Sequence, residues 1–144
     1  MIGKTMAELE LGQSAQFAKT VSESDIYLYA GITGDMNPAH LNQEYAQGTH
    51  FQTRIAHGML SAGFISAVLG CQLPGPGTVY ISQELKFPAP VRIGDTITAR
   101  VRITHLDHQR HRVTLDTGCW NQDGVQVLAG TALVSPPRPP RGQD

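Results

Sequence analysis

Two periodicities divide the chain. Beyond Val79, apolar and polar residues alternate: Val79, Ile81, Leu85 and Phe87 stand against Tyr80, Ser82, Glu84 and Lys86. Ile97, Ala99, Val101 and Ile103 likewise alternate with Thr98, Arg100, Arg102 and Thr104. Val113, Leu115 and Cys119 share a face, and residues 125–134 form a last strand after the hairpin signal Asn121-Gln122-Asp123-Gly124. A period of two predicts strands with one covered face, and residues 16–21 add a strand at the front.

Before Val79 the spacing is helical. Ser22 caps a helix in which Asp25 completes a box-like start, and Ile26, Tyr29, Ala30 and Thr33 share one face. Gly34 can stop it in the left-handed conformation. Asn37 and Pro38, a cap and a first-turn proline, start a short helix through about Tyr45. The run from His57 to Leu69 carries no charge on any side, which predicts a helix buried all round. Strands in succession joined by short turns imply an antiparallel sheet, and only that helix is apolar enough to cover it. The expected class is α+β, a curved sheet wrapped on one buried helix. Residues 1–135 form a single domain, and the Pro-rich residues 136–144 are expected to be a disordered tail.

Composition narrows the partners. A chain of 144 residues suits one domain, and a net charge of -1 argues against nucleic acid. Cys71 and Cys119 have no metal-like spacing and read as core cysteines in a reducing compartment. No stretch approaches the ~18 apolar residues of a membrane span, and the start lacks an apolar leader, so a cytoplasmic location is expected. His105, His108 and His111 are spaced along a predicted turn that would scatter their rings, so no metal site is expected.

The break between the two helical patterns, Thr33 to His40, holds the candidate chemistry. Asp35 and His40 are side chains that can move protons near neutral pH. The positive end of a helix opposes a protonated His40, whereas Asp35 favours it, and spacing does not decide between them. A turn aspartate and a surface histidine also fit the pattern. At the other helix, the first N–H groups need acceptors from outside. A thioester oxygen beside Gly58 would serve; capping by Thr49, Thr53 or water would serve equally well. His57 also fits a structural histidine bonded to backbone.

Asp35-Met36-Asn37-Pro38-Ala39-His40, followed by His57-Gly58-Met59, resembles the paired motifs of MaoC-like hot-dog dehydratases, in particular monofunctional (R)-specific enoyl-CoA hydratases. Leu73 to Gly77 and Phe87 to Asp95 match that family's entry into its sheet. The resemblance implies a hot-dog fold and reversible syn hydration of trans-2-enoyl-CoA to (R)-3-hydroxyacyl-CoA. It implies Asp35 as general base on water, and His40 sharing that water and acting in proton transfer to the α-carbon. It also implies Asn37 bracing the loop, the Gly58 N–H binding the oxyanion, and Ser66 and Leu69 lining the acyl pocket. No cofactor and no metal are implied. A cytoplasmic homodimer is, with polyhydroxyalkanoate precursor supply or fatty acid degradation as its setting. Arg54, Lys86 and Arg92 are candidates for the CoA phosphates. The alternatives are a hot-dog thioesterase or acyl-carrier dehydratase, disfavoured because no carboxylate lies between Tyr45 and Gln83, and a non-catalytic acyl-CoA-binding module.

Overall fold

The computed structural model describes residues 1–141. Five strands form one antiparallel sheet in the order β1-β3-β4-β5-β2: β1 (Ser14–Thr20), β2 (Val79–Gln83), β3 (Thr96–Asp107), β4 (Arg112–Trp120) and β5 (Gln126–Ser135). Four α-helices precede β2 among the described residues: α1 (Glu23–Thr33), α2 (Pro38–Leu41), α3 (Gln43–Gln47) and α4 (Gly58–Cys71). This is the expected α+β layout. The short helix predicted through Tyr45 is two helices, because Asn42 interrupts the first and caps the second by accepting from the Tyr45 N–H at 3.0 Å.

Alternation on β3 and β4 puts Ile97, Ala99, Val101, Ile103, Val113 and Leu115 at or below 1% exposure, on the face that meets α4. From α4 come Phe64, Ile65, Val68 and Leu69, all in the same core. Each such side chain contributes roughly 1.5–3 kcal/mol when fully buried. The turn after β4 is fixed locally: Asn121 accepts from the Asp123 and Val125 N–H groups, and Gly124 has φ 75°.

Three sequence expectations need correction. α4 is not buried all round: Met59, Gly63, Ser66 and Gly70 form an open stripe, because one sheet covers only one side of the helix. Cys71 lies at its exposed end, whereas Cys119 is buried, and burial pushes its thiol up to about 12. The run 79–87 is not one strand with an inward apolar face. β2 ends at Gln83 and its register shifts between Tyr80 and Ser82, so Val79 and Ile81 are 60% and 42% exposed at the sheet edge. Beyond it the chain presses so closely on β5 that a Cβ on Gly130 would overlap the Glu84 carbonyl.

The tail expectation also shifts. Pro136 and Pro137 are buried, and the Pro136 carbonyl accepts from His111 Nε2 at 2.7 Å. Residues 142–144 of the predicted disordered tail lie outside the described residues. Among the described residues no helix is long and apolar enough to cross a membrane.

Candidate active site

α1 begins as its sequence suggests, with Ser22 and Asp25 in a reciprocal capping box, and ends at Gly34 with φ 80°. The chain then turns through Asp35 in a set of short polar contacts. The Asp35 N–H donates to Thr33 Oγ1 at 3.2 Å, and Asp35 Oδ1 accepts from the Asn37 N–H at 3.3 Å. Asn37 Oδ1 caps α2 through the Ala39 N–H at 3.0 Å, with Pro38 in the first turn. Such local bonds restrain a loop that would otherwise sample many conformations. Asn37 takes part in two of these contacts, one through its N–H and one through its side chain. The Asp35 side chain is exposed.

The start of α2 carries His40 inward, to 9% exposure. Its Nδ1 lies 2.7 Å from the Ile55 carbonyl. A carbonyl only accepts, so Nδ1 carries the proton and Nε2 is left as the free position. Burial pushes the His40 imidazole below its ordinary value. The bond to Ile55 opposes that shift, repulsion from His57 adds to it, and attraction to Asp35 is the weakest influence. The competition left undecided by spacing therefore falls on the neutral side, chiefly through desolvation.

His57 occupies the N-cap of α4, yet its side chain caps nothing. Nε2 donates instead to the Asp35 carbonyl at 3.0 Å. Its ring lies 3.9 Å from that of His40 at 33°, and 4.6 Å from that of Tyr29 at 49°. Buried Nδ1 has no partner, a condition that costs ~1–3 kcal/mol. Neither threonine caps α4: Thr49 Oγ1 donates to the Ala46 carbonyl, and Thr53 Oγ1 to Gln43. Among the described residues the Gly58 and Met59 N–H groups have no hydrogen-bond partner. Phe87, which sequence reasoning missed, closes on Gly58: a Cβ there would sit 2.9 Å from two ring carbons. Nothing local in the sequence tied this ring to residue 58.

One ring nitrogen of each histidine and a carboxylate oxygen of Asp35 all lie within 4.8 Å of one another. These three residues are the group with metal-ligand spacing among the described residues, rather than the three histidines between 105 and 111. The pair Asp35 and His40 can share one water between a carboxylate and a free imidazole nitrogen, the arrangement that general acid–base chemistry needs. The Gly58 N–H opens close by, one residue after His57.

The other site residues separate. Ser66 lines a cleft of about 410 Å³ with Met59, Ala62, Gly63, Tyr80, Ile81 and Leu85. Leu69, three residues on, is 1% exposed and belongs to the core under α4. Arg54 is engaged: it holds Glu23 at 2.6 Å and Tyr27 Oη at 2.9 Å, which ties the loop before α4 to α1. Lys86 and Arg92 remain exposed. A groove of about 390 Å³ on the opposite sheet face holds Arg100 and Trp120 and none of the acid–base residues.

Known proteins resemble this chain in sequence and fold. The MaoC like domain family matches residues 7–119. An (R)-specific enoyl-CoA hydratase of Rhodospirillum rubrum is 60% identical over 130 residues, which cover 90% of each chain. A 3-hydroxybutyryl-CoA dehydratase of Methylorubrum extorquens is 51% identical over 91% of this chain and 83% of its own. The solved R-hydratase of Pseudomonas aeruginosa superposes with a TM-score of 0.90 at 42% identity, covering 95% of this chain and 88% of that one. The (R)-hydratase of Aeromonas caviae involved in PHA biosynthesis gives 0.87 at 40% identity, covering 90% and 98%. The chain belongs to the MaoC-like family of hot-dog proteins.

Proposed function

We propose that the protein is an (R)-specific enoyl-CoA hydratase, adding water reversibly and syn across trans-2-enoyl-CoA to give (R)-3-hydroxyacyl-CoA. One observation carries the reading: Asp35 and His40 bring a carboxylate oxygen and a ring nitrogen within 4.8 Å of each other, beside a helix end whose Gly58 N–H has no partner among the described residues. Water is a poor nucleophile. Asp35 takes its proton as oxygen adds to C3; that proton passes to the open Nε2 of neutral His40, and the imidazolium so formed delivers it to C2, leaving both groups as they began. The Gly58 N–H meets the charge that develops on the thioester oxygen, an interaction worth roughly 3–4 kcal/mol of barrier. Proton transfer and a fixed donor suffice, so the reaction needs no cofactor and no metal.

The acyl chain follows the open stripe of α4 into the cleft beside Ser66, which is mainly apolar in its walls. Lys86 and Arg92, both exposed, are the candidates for the CoA phosphates. A second copy of the chain covers the site: Met36, Met59, Val79 and Ile81 are 42–60% exposed, and an unpaired apolar edge strand invites pairing. Two unpaired cysteines suit the cytoplasm, and the (R)-product suits polyhydroxyalkanoate precursor supply or fatty acid metabolism.

The test is crotonyl-CoA, followed by enoyl absorbance and free thiol in one assay. Loss of absorbance without thiol supports hydration. Thiol release would replace it with a thioesterase, a reading that α4 disfavours because it carries no carboxylate. Neither signal, with binding retained, would leave a non-catalytic acyl-CoA-binding module.

A further inference from the structure

We propose that His57 is a positioning residue of this site: its Nε2–H fixes the main chain of Asp35, and its ring, stacked on His40, holds that imidazole with Nε2 open to water. The inference rests on the hydratase reading and deepens it. Four observations converge on the residue.

The first is the target of its hydrogen bond. His57 reaches across 22 residues of sequence to the carbonyl of the catalytic aspartate itself, at 3.0 Å. That bond ties the loop carrying the base to the helix carrying the oxyanion donor, so the two halves of the site share one strut. The second is the ring contact at 3.9 Å, which leaves His40 little freedom to rotate away from its bond to Ile55.

The third is what His57 does not do. Ser, Thr, Asn or Asp at an N-cap would satisfy the first N–H groups of the helix. His57 turns its side chain away, and the Gly58 and Met59 donors stay free for a ligand. The fourth is Nδ1, buried at 2% residue exposure and unpartnered. Buried polar groups in folded proteins are nearly always satisfied, and exceptions gather at working sites. A phenyl ring would fill the same volume without that cost; the imidazole is retained for the bond its other nitrogen makes.

The ionisable groups that act on His40 are Asp35 from the turn before α2 and His57 from the head of α4; Tyr29 of α1 lies against His57. Of these, His57 holds His40 toward the neutral form through like-charge repulsion, alongside burial. Removing the imidazole, as either Phe or Gln does, therefore raises the pH at which His40 titrates and moves the acid limb of kcat/KM upward with it.

His57→Phe keeps the volume and loses the donor; His57→Gln restores an N–H within reach and loses the ring. Each is measured in the full-length protein for kcat and KM with crotonyl-CoA, thermal midpoint, and the His40 titration by imidazole NMR without substrate. His57→Phe should lower kcat about 10- to 100-fold, as a misplaced catalytic group does, with KM within about twofold and the fold intact. His57→Gln should recover part of kcat and titrate His40 at higher pH. Wild-type kcat in either folded variant, or a kcat loss that matches the lost folded fraction with an unmoved His40 titration, would overturn the role. Should His57→Phe fail to fold, His57→Gln decides by the same criteria. If the wild-type protein hydrates nothing, the hydratase reading fails, and the His40 titration still decides whether His57 governs that imidazole.

Discussion

Substituting Gly58 by Ala separates two reasons for a glycine at the head of α4. The residue is helical, so its backbone conformation needs no glycine. A Cβ there would meet Phe87 Cδ1 and Cε1 at 2.9 Å and Cζ at 3.3 Å. Ordinary contact begins about half an ångström farther out, so the ring or the helix head must move. Phe87 is 47% exposed and can swing aside, which places the strain near the low end of the ~1–3 kcal/mol typical of overpacking. Alanine returns up to ~1 kcal/mol of helix propensity. The net change in stability should fall between about zero and 2 kcal/mol, read from urea midpoints. Activity should fall further than stability. A methyl group stands where the thioester must approach the N–H, and a misplacement of this size costs about 100-fold in kcat. The double variant Gly58→Ala/Phe87→Ala then discriminates. If the glycine serves Phe87 alone, removing the ring restores both stability and kcat. If it serves the thioester, stability returns and kcat does not. Unchanged kcat/KM in Gly58→Ala would refute the placement of the oxyanion at this N–H.

Other outcomes follow from the same geometry. Asp35→Ala and His40→Ala should each lower turnover by at least about 100-fold. Asp35→Ala should leave the unfolding midpoint nearly unchanged because its side chain is exposed, whereas His40→Ala should destabilise by ~1–3 kcal/mol through the unpaired Ile55 carbonyl. Because His40 titrates below its unfolded value of 6.5, the unfolded chain binds more protons once pH falls through that value; stability from this group is present above it and lost down to the folded midpoint, as urea midpoints across that range would show. Ser66→Phe should shift acyl preference toward short chains in a series of enoyl-CoA lengths, and an unchanged series would remove Ser66 from the pocket. Leu69→Ala should act differently, destabilising by about 2–5 kcal/mol because that side chain is in the core.

The legible parts of the sequence were those decided by neighbours. Ser22 with Asp25 and Asn37 with Pro38 announce helix starts because capping is settled within three residues, and both caps form. Strands β3, β4 and β5 were legible because each has one covered face, so burial writes a period of two into the sequence. β2 begins at Val79 as expected, but its exposed face and its end at Gln83 were not legible, because an edge strand faces solvent and its shift after Tyr80 breaks the period. The apolar run of α4 announced a core helix but could not say that its Met59–Ser66 stripe is left open by a sheet on one side only. Cys71 was misplaced for the same reason. In the site, Asp35, Asn37 and His40 were read from one segment. The links that organise them, His57 to the Asp35 carbonyl, Arg54 to Glu23 and Phe87 over Gly58, join residues 22, 31 and 29 positions apart, beyond the reach of any local signal.

The exposure of Asp35 bears on how the site is completed. A carboxylate surrounded by water holds no single water in register and stabilises no enolate, because bulk solvent screens both effects. Yet its partner is buried, its loop is braced by three short polar contacts, and the donors at Gly58 are left unsatisfied. Order of that kind is wasted on an open surface. Three apolar residues of the adjoining segments, Ile32 at 82% exposure, Met36 at 59% and Met59 at 51%, present surface that gains by being covered. A second chain laid along the β2 edge would cover such a rim and exclude water at once, so assembly and catalysis should fail together. Val79→Asp, remote from the acid–base pair in sequence, placed on that edge and outside the acyl cleft, should therefore yield a monomer with most activity gone and an intact fold. A monomeric Val79→Asp with wild-type kcat would show that one chain completes the site alone.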